Sequence, residues 1–152
     1  MRRLSPVLVV VALALVTSGC GEDTKAANNY VDAVNKAQTG FAARFDTLSS
    51  KITSTSTAAQ DRETLDGFKA AIDTVVKDFK AVKAPDKVKA LHGQLISEIS
   101  AYGKEIDKAK QAFSDEDPKA IVKAQADLVS AVTRVQSQIN ATIAEINRKL
   151  RA

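Results

Sequence analysis

One histidine, one cysteine and 18 carboxylates are the first side chains to weigh for chemistry in this 152-residue chain. A catalytic histidine needs a nucleophile and an orienting partner converging on it, and the sequence around His92 selects neither. Its neighbours Leu91, Leu95 and Ile96 put it on or just off an apolar helix face, where it reads as a boundary or surface histidine. A metal site needs several ligands at helical or hairpin spacing. No second histidine exists, and the Glu-x-x-His signature of di-iron bundles does not occur, so no metal and no cofactor are expected. The carboxylates are scattered over polar faces with lysines at helical spacing, as in Glu105–Lys108 and Asp107–Lys110, which is ordinary surface support. Glycine-rich phosphate loops and a Gly-x-Ser-x-Gly elbow are missing. No catalytic residue set emerges, and the chain reads as a non-enzyme.

Cys20 stands in a different setting. Arg2 and Arg3 supply a short positive start, and residues 4–16 form an apolar run interrupted only by Ser5 and Pro6. At about thirteen residues the run is too short for a permanent span of a bilayer roughly 30 Å thick, and it fits the apolar region of a signal peptide. It ends in Leu15-Val16-Thr17-Ser18-Gly19-Cys20, and polar residues follow at once. The plainest reading is an ordinary signal peptide with an incidental cysteine. Against that reading, a lone cysteine in an exported chain has no internal disulfide partner.

This segment resembles the lipobox of bacterial lipoprotein precursors, in which small residues precede an obligatory cysteine; Thr17 stands where Leu or Val is commonest. The resemblance covers only the first twenty or so residues. It implies that Cys20 receives a diacylglycerol, that the Gly19–Cys20 bond is cleaved, and that a palmitate-type acyl anchor holds the mature chain to a membrane. The implied location is the outer face of the cell membrane or, in a two-membrane bacterium, the outer membrane. The mature region resembles the small helical lipoproteins of bacteria without matching a named family.

The elements that carry these residues follow from periodicity. Aromatics are 5% and Trp is absent, while Ala, Val, Ile and Leu dominate the apolar 45%, which suits helix faces better than deep aromatic pockets. Four stripes with steps of three and four appear. The first is Val31, Val34, Ala37, Phe41, Phe45, Leu48, Ile52. The second is Leu65, Phe68, Ile72, Val75, Phe79, Val82. The third is Val88, Leu91, Leu95, Ile99, Tyr102, Ile106, Ala109, Phe113. The last is Ile121, Gln125, Leu128, Val132, Val135, Ile139, Ile143, Ile146, Leu150. Thr57-Ala58-Ala59-Gln60 has the form of a capping box. Pro85 suits the first turn of the third helix, and Asp117 before Pro118 suits the N-cap of the fourth.

The expected division is a signal peptide over 1–19, a lipidated tether over 20–29 and a helical bundle over 30–152. The predicted helices span about 24–54, 58–83, 85–113 and 118–151. Short turns predict an all-α, up-down-up-down four-helix bundle; three long helices result instead if the Ser/Thr-rich joint at 49–57 stays helical. Tyr30 and Tyr102 read as boundary core residues with wet hydroxyls. Gln38 and Gln125 either form a polar layer or face solvent.

Loss of Arg2 and Arg3 leaves 20 basic residues against 18 acidic ones, too balanced for a nucleic-acid partner. The up-down order puts the Pro85 turn and the C-terminus at the tethered end. Lys80, Lys83, Lys87, Lys89, Arg148, Lys149 and Arg151 gather there as candidate contacts to a membrane surface, while Asp115-Glu116-Asp117 marks the far end. Complementing the helix macrodipole is the simpler account of the same distribution. Two functions stay open. One is an envelope structural or interaction module with an unidentified protein partner, monomeric by default. The other is a small-ligand binder with a cavity where Ala33, Ala37, Ala109 and Ala131 face each other.

Overall fold

The computed structural model describes residues 22–51, 57–114 and 118–152. Cys20, Gly19, Ile52 and the acidic turn at 115–117, with its expected N-cap Asp117, lie outside the described residues. Among the described residues every regular element is helical: α1 (Glu22–Ser49), α2 (Ala58–Ala81), a single 3₁₀ turn η1 (Asp86–Val88), α3 (Lys89–Ser114) and α4 (Pro118–Arg151).

Local chemistry sets the boundaries. Thr57 adopts an extended conformation and opens α2 with a complete capping box. Its hydroxyl accepts from the Gln60 N–H at 3.3 Å, and Gln60 Oε1 accepts from the Thr57 N–H at 2.8 Å. Two N–H groups that the helix cannot pair are thereby satisfied. α2 ends at Ala81 because Val82 turns extended ahead of Ala84-Pro85, with its N–H bonded to the Phe79 carbonyl at 3.0 Å. Three expected boundaries move. α1 starts at Glu22, so residues 22–29 belong to the helix rather than to a tether, and Ala27 is buried. α1 stops at Ser49 and not near residue 54, with Thr47 and Leu48 carbonyls closing a turn at Ser50 and Lys51. Pro85 precedes a 3₁₀ turn, and the α-helix proper begins four residues later.

The four helices run up, down, up and down, each packed on its neighbour in sequence. The core joins all of them. One continuous cluster of buried side chains includes Val31 and Val34 of α1, Leu65, Ile72 and Phe79 of α2, Leu95 and Ile106 of α3, and Ile143, Ile146 and Leu150 of α4. Full burial of an aliphatic side chain contributes about 1.5–3 kcal/mol, and Val31, Val34, Leu95 and Ile146 are wholly excluded from solvent. The tightest approach is at Gly67, where a Cβ would meet Leu48 Cδ2 at 2.6 Å; a side chain there would force the leucine aside.

Two cross-element contacts define the end of the bundle nearest the start of α1. Lys87 Nζ donates to the Leu150 carbonyl at 3.3 Å, tying the α2–α3 turn to the last turn of α4. Tyr30 of α1, Phe79 of α2 and His92 of α3 meet in one hydrogen-bonded chain. The start of α1, the end of α2, η1, the start of α3 and the end of α4 therefore share one pole.

Candidate functional site, a basic pole over a buried histidine

The pole gathers an excess of cations from separate elements. Lys80 comes from the last turn of α2, Lys83 and Lys87 from the α2–α3 connection, Lys89 from the start of α3, and Arg148, Lys149 and Arg151 from the end of α4. All seven are exposed, and Lys25 in the first turn of α1 joins them. The acidic side chains nearby are Asp78, Asp86 and Glu145.

Ion pairs are sparser at this pole than along the shafts. There, five cations are matched, while Lys36, Arg44, Lys51, Arg62, Lys77 and Lys104 form no ion pair among the described residues. Lys69 meets Asp73 at 2.6 Å, Lys108 meets Glu105 at 3.0 Å, Lys123 meets Asp127 at 2.5 Å, and Arg134 approaches Glu105 at 3.9 Å. Lys110 pairs with Asp66 of α2, not with Asp107 on its own helix as its spacing suggested. Among the described residues, Arg148 is the one cation of the pole in an ion pair, with Glu145 at 2.5 Å. That partnership holds the Glu145 carboxyl below its ordinary pKa. Lys80, Lys83, Lys89, Lys149 and Arg151 form no ion pair among the described residues.

The macrodipole accounts for part of this distribution. Cations at the last turns of α2 and α4 face the negative ends of those helices. Lys25, Lys87 and Lys89 sit instead at or before the starts of α1 and α3, where the dipole disfavours them. Two helix starts and two helix ends meet here, so the axial dipoles largely cancel and do not offset the excess of cationic over acidic side chains.

Beneath the pole lies a buried polar cluster centred on His92. His92 is only 7% exposed, a correction to its reading as a boundary or surface residue. Its Nε2 is 2.9 Å from the Phe79 carbonyl, which can only accept, so Nε2 carries the proton. Nδ1 is then an acceptor, and the Tyr30 hydroxyl, 3.1 Å away, donates to it. The Tyr30 ring meets the imidazole edge-on with centroids 5.5 Å apart, and the Phe79 ring stacks on it at 6.1 Å. Tyr30 is 1% exposed, so its hydroxyl is not wet as its position near the helix start implied. Burial disfavours charge on both groups. It lowers the His92 pKa, partly offset by the bond to the Phe79 carbonyl, and pushes Tyr30 up to about 12. The arrangement fixes one neutral tautomer and clamps three helices. It presents no reactive atom to solvent.

A second polar cluster, unforeseen in the sequence, joins α3 to α4. Thr142, 3% exposed, donates to Glu98 Oε1 at 3.0 Å, and Gln94 Nε2 bonds both Thr142 and Glu98 at 3.1 and 2.9 Å. Of the two glutamines near the stripes, Gln125 is exposed. Gln38 is half-buried with its Oε1 unpaired, so no polar layer forms between them.

The four alanines proposed to face one another do not share a cavity. Ala109 and Ala131 are buried at 3% in the α3 and α4 packing. Ala33 and Ala37 instead line a half-open groove of about 420 Å³ between α1 and α2, with Lys36, Arg44 and Asp78 at its rim. Among the described residues no helix is long and apolar enough to cross a membrane, and no group of three metal-ligating side chains converges. In comparisons with known proteins, no family model, no curated protein and no solved structure matches this chain.

Proposed function

We propose that this protein is a lipid-anchored, non-enzymatic lipoprotein of the bacterial envelope, exported by its N-terminal segment and acylated on Cys20, whose helical bundle serves as a structural or protein-interaction module. The observation that carries the reading is the segment Leu15-Val16-Thr17-Ser18-Gly19-Cys20 at the end of a short apolar run. The fold is consistent with it. α1 begins at Glu22, two residues past the cysteine, so an acylated Cys20 leads directly into a packed helix. Two or more acyl chains hold a protein firmly at a bilayer where one does not. The polar clusters found in the bundle link helices to each other, which supports a structural role over catalysis.

Fractionation tests this. The wild-type chain stays with membranes through a high-salt wash and takes up a clickable palmitate analogue. Cys20→Ala loses the label and accumulates with residues 1–19 uncleaved. Equal labelling of both proteins defeats the proposal.

A second reading, a small-ligand-binding lipoprotein, is favoured by one feature, the α1–α2 groove with an apolar floor and the cations Lys36 and Arg44 at its edge. Its volume falls in the range of about 300–1,000 Å³ usual for ligand sites.

A further inference from the structure

We propose that the basic pole is a docking surface for anionic phospholipid, which stands the bundle upright on the membrane that holds its tether. The orientation rests on the lipoprotein reading above; the affinity of the pole for anionic lipid does not.

Three observations converge. The cations come from separate stretches of sequence and meet only because the fold is up-down-up-down, with the Lys87 bond to the Leu150 carbonyl joining turn and C-terminus. Lys80, Lys83, Lys89, Lys149 and Arg151 are exposed, form no ion pair among the described residues and are gathered at one end of the bundle. Lys87 and Lys89 stand where the helix dipoles oppose cations, so helix stability does not explain them. Exposed lysines on flexible stems suit a fluid array of phosphate headgroups, which needs charge at the right height and no fixed geometry. α1 starts at this same pole with Glu22, two residues after Cys20 in the sequence. An acyl tether there holds the cations within the range over which an anionic surface attracts them, about 8–10 Å in physiological salt.

The test uses the full protein reconstituted by its own anchor into vesicles of neutral lipid, or of neutral lipid mixed with phosphatidylglycerol. Acylation blocks the Cys20 thiol, so a single new cysteine takes a fluorophore: Ala90→Cys at the pole or Ala59→Cys at the far end, both exposed. A quencher carried on lipid headgroups reports proximity. The expected result is stronger quenching at residue 90 than at residue 59, rising with phosphatidylglycerol and falling with salt. Equal quenching of residue 90 in neutral and anionic vesicles overturns the proposal, and so does equal quenching at the two positions.

Mass spectrometry of the same preparation reports separately whether Cys20 is acylated. If it is not, the lipoprotein reading fails alone, and co-sedimentation of the unacylated chain then tests the pole. Each cation near an anionic surface strengthens binding roughly fivefold. The variant Lys80→Gln, Lys83→Gln, Lys89→Gln, Lys149→Gln should therefore lower partition into anionic vesicles about six-hundredfold, with an unchanged helical spectrum. Equal partition of this variant and the parent, or equal binding to neutral vesicles, overturns the pole. An acidic protein as the true partner would show itself as that second outcome.

Discussion

Acidifying the protein through the histidine range should loosen α1 from the bundle, and the size of the effect follows from His92. In the folded protein Nδ1 accepts from Tyr30 and Nε2 donates to the Phe79 carbonyl. A second proton on Nδ1 would face the Tyr30 hydroxyl donor with no carboxylate to offset it. The groups packed around the ring are Tyr30 from α1 and the Phe79 ring and carbonyl from α2. The folded pKa is lowered by burial, so below the unfolded pKa the unfolded chain binds more protons than the folded one. Stability is then fully present above about pH 6.5 and falls as pH drops towards the folded value. The slope is at most about 1.4 kcal/mol per pH unit, so the loss between about pH 7 and pH 5.5 is at most about 1 kcal/mol. Water reaching the ring reduces it.

Urea denaturation followed by far-ultraviolet circular dichroism measures this directly, in the parent and in His92→Phe. The variant keeps an aromatic ring against Phe79 but orphans the Tyr30 hydroxyl. It should lose about 1–3 kcal/mol at neutral pH and show no pH dependence in the histidine window. The double variant His92→Phe, Tyr30→Phe should recover much of that loss, because both polar partners are then removed. A parent whose stability is flat across the window, or a His92→Phe variant with the parent's slope, refutes the assigned tautomer and hydrogen-bond chain.

Three further outcomes follow. Ile146→Ala should cost about 2–5 kcal/mol by denaturant titration, since the side chain is wholly excluded from solvent, whereas Val122→Ser, at a position 66% exposed, should change stability little. Thr57→Ala should cost about 1 kcal/mol by removing half of the capping box, with hydrogen exchange rising first in the opening turn of α2. Gly93→Ala should stabilise α3 by about 0.5–1 kcal/mol, because nothing lies within 4 Å of the added Cβ and the backbone is helical.

The fold was legible because each helix carries its own apolar stripe at steps of three and four, and because Thr57 and Pro85 punctuate the joints in ways that follow from backbone chemistry alone. The end of α1 was harder. Hydroxylated residues from Ser49 onward neither forbid nor demand a helix, and the chain turns at Ser50 once Leu48 has reached its contact beside Gly67. The pole was legible as a consequence of topology, since short turns force the Pro85 joint and the C-terminus to one end. The histidine clamp was not. His92 and Tyr30 are 62 residues apart, and helical periodicity places a residue only to within a fraction of a turn of the apolar face. One signal was present: Tyr30 near the start of α1, Phe79 near the end of α2 and His92 near the start of α3 fall at a single level in an up-down order. Matching polar residues by level would have paired them. The Thr142–Glu98–Gln94 cluster had no such signal, because threonine and glutamate on a helix flank are ordinary surface residues until a neighbour covers them.

Anchoring through Cys20 is the claim on which the functional account turns, and the N-terminal peptide of protein purified from membranes tests it most directly. Mass spectrometry is predicted to find a peptide that begins at Cys20 and carries a diacylglyceryl group on its sulfur. A peptide that retains residues 1–19, or one in which Cys20 is present with a free thiol, would contradict it.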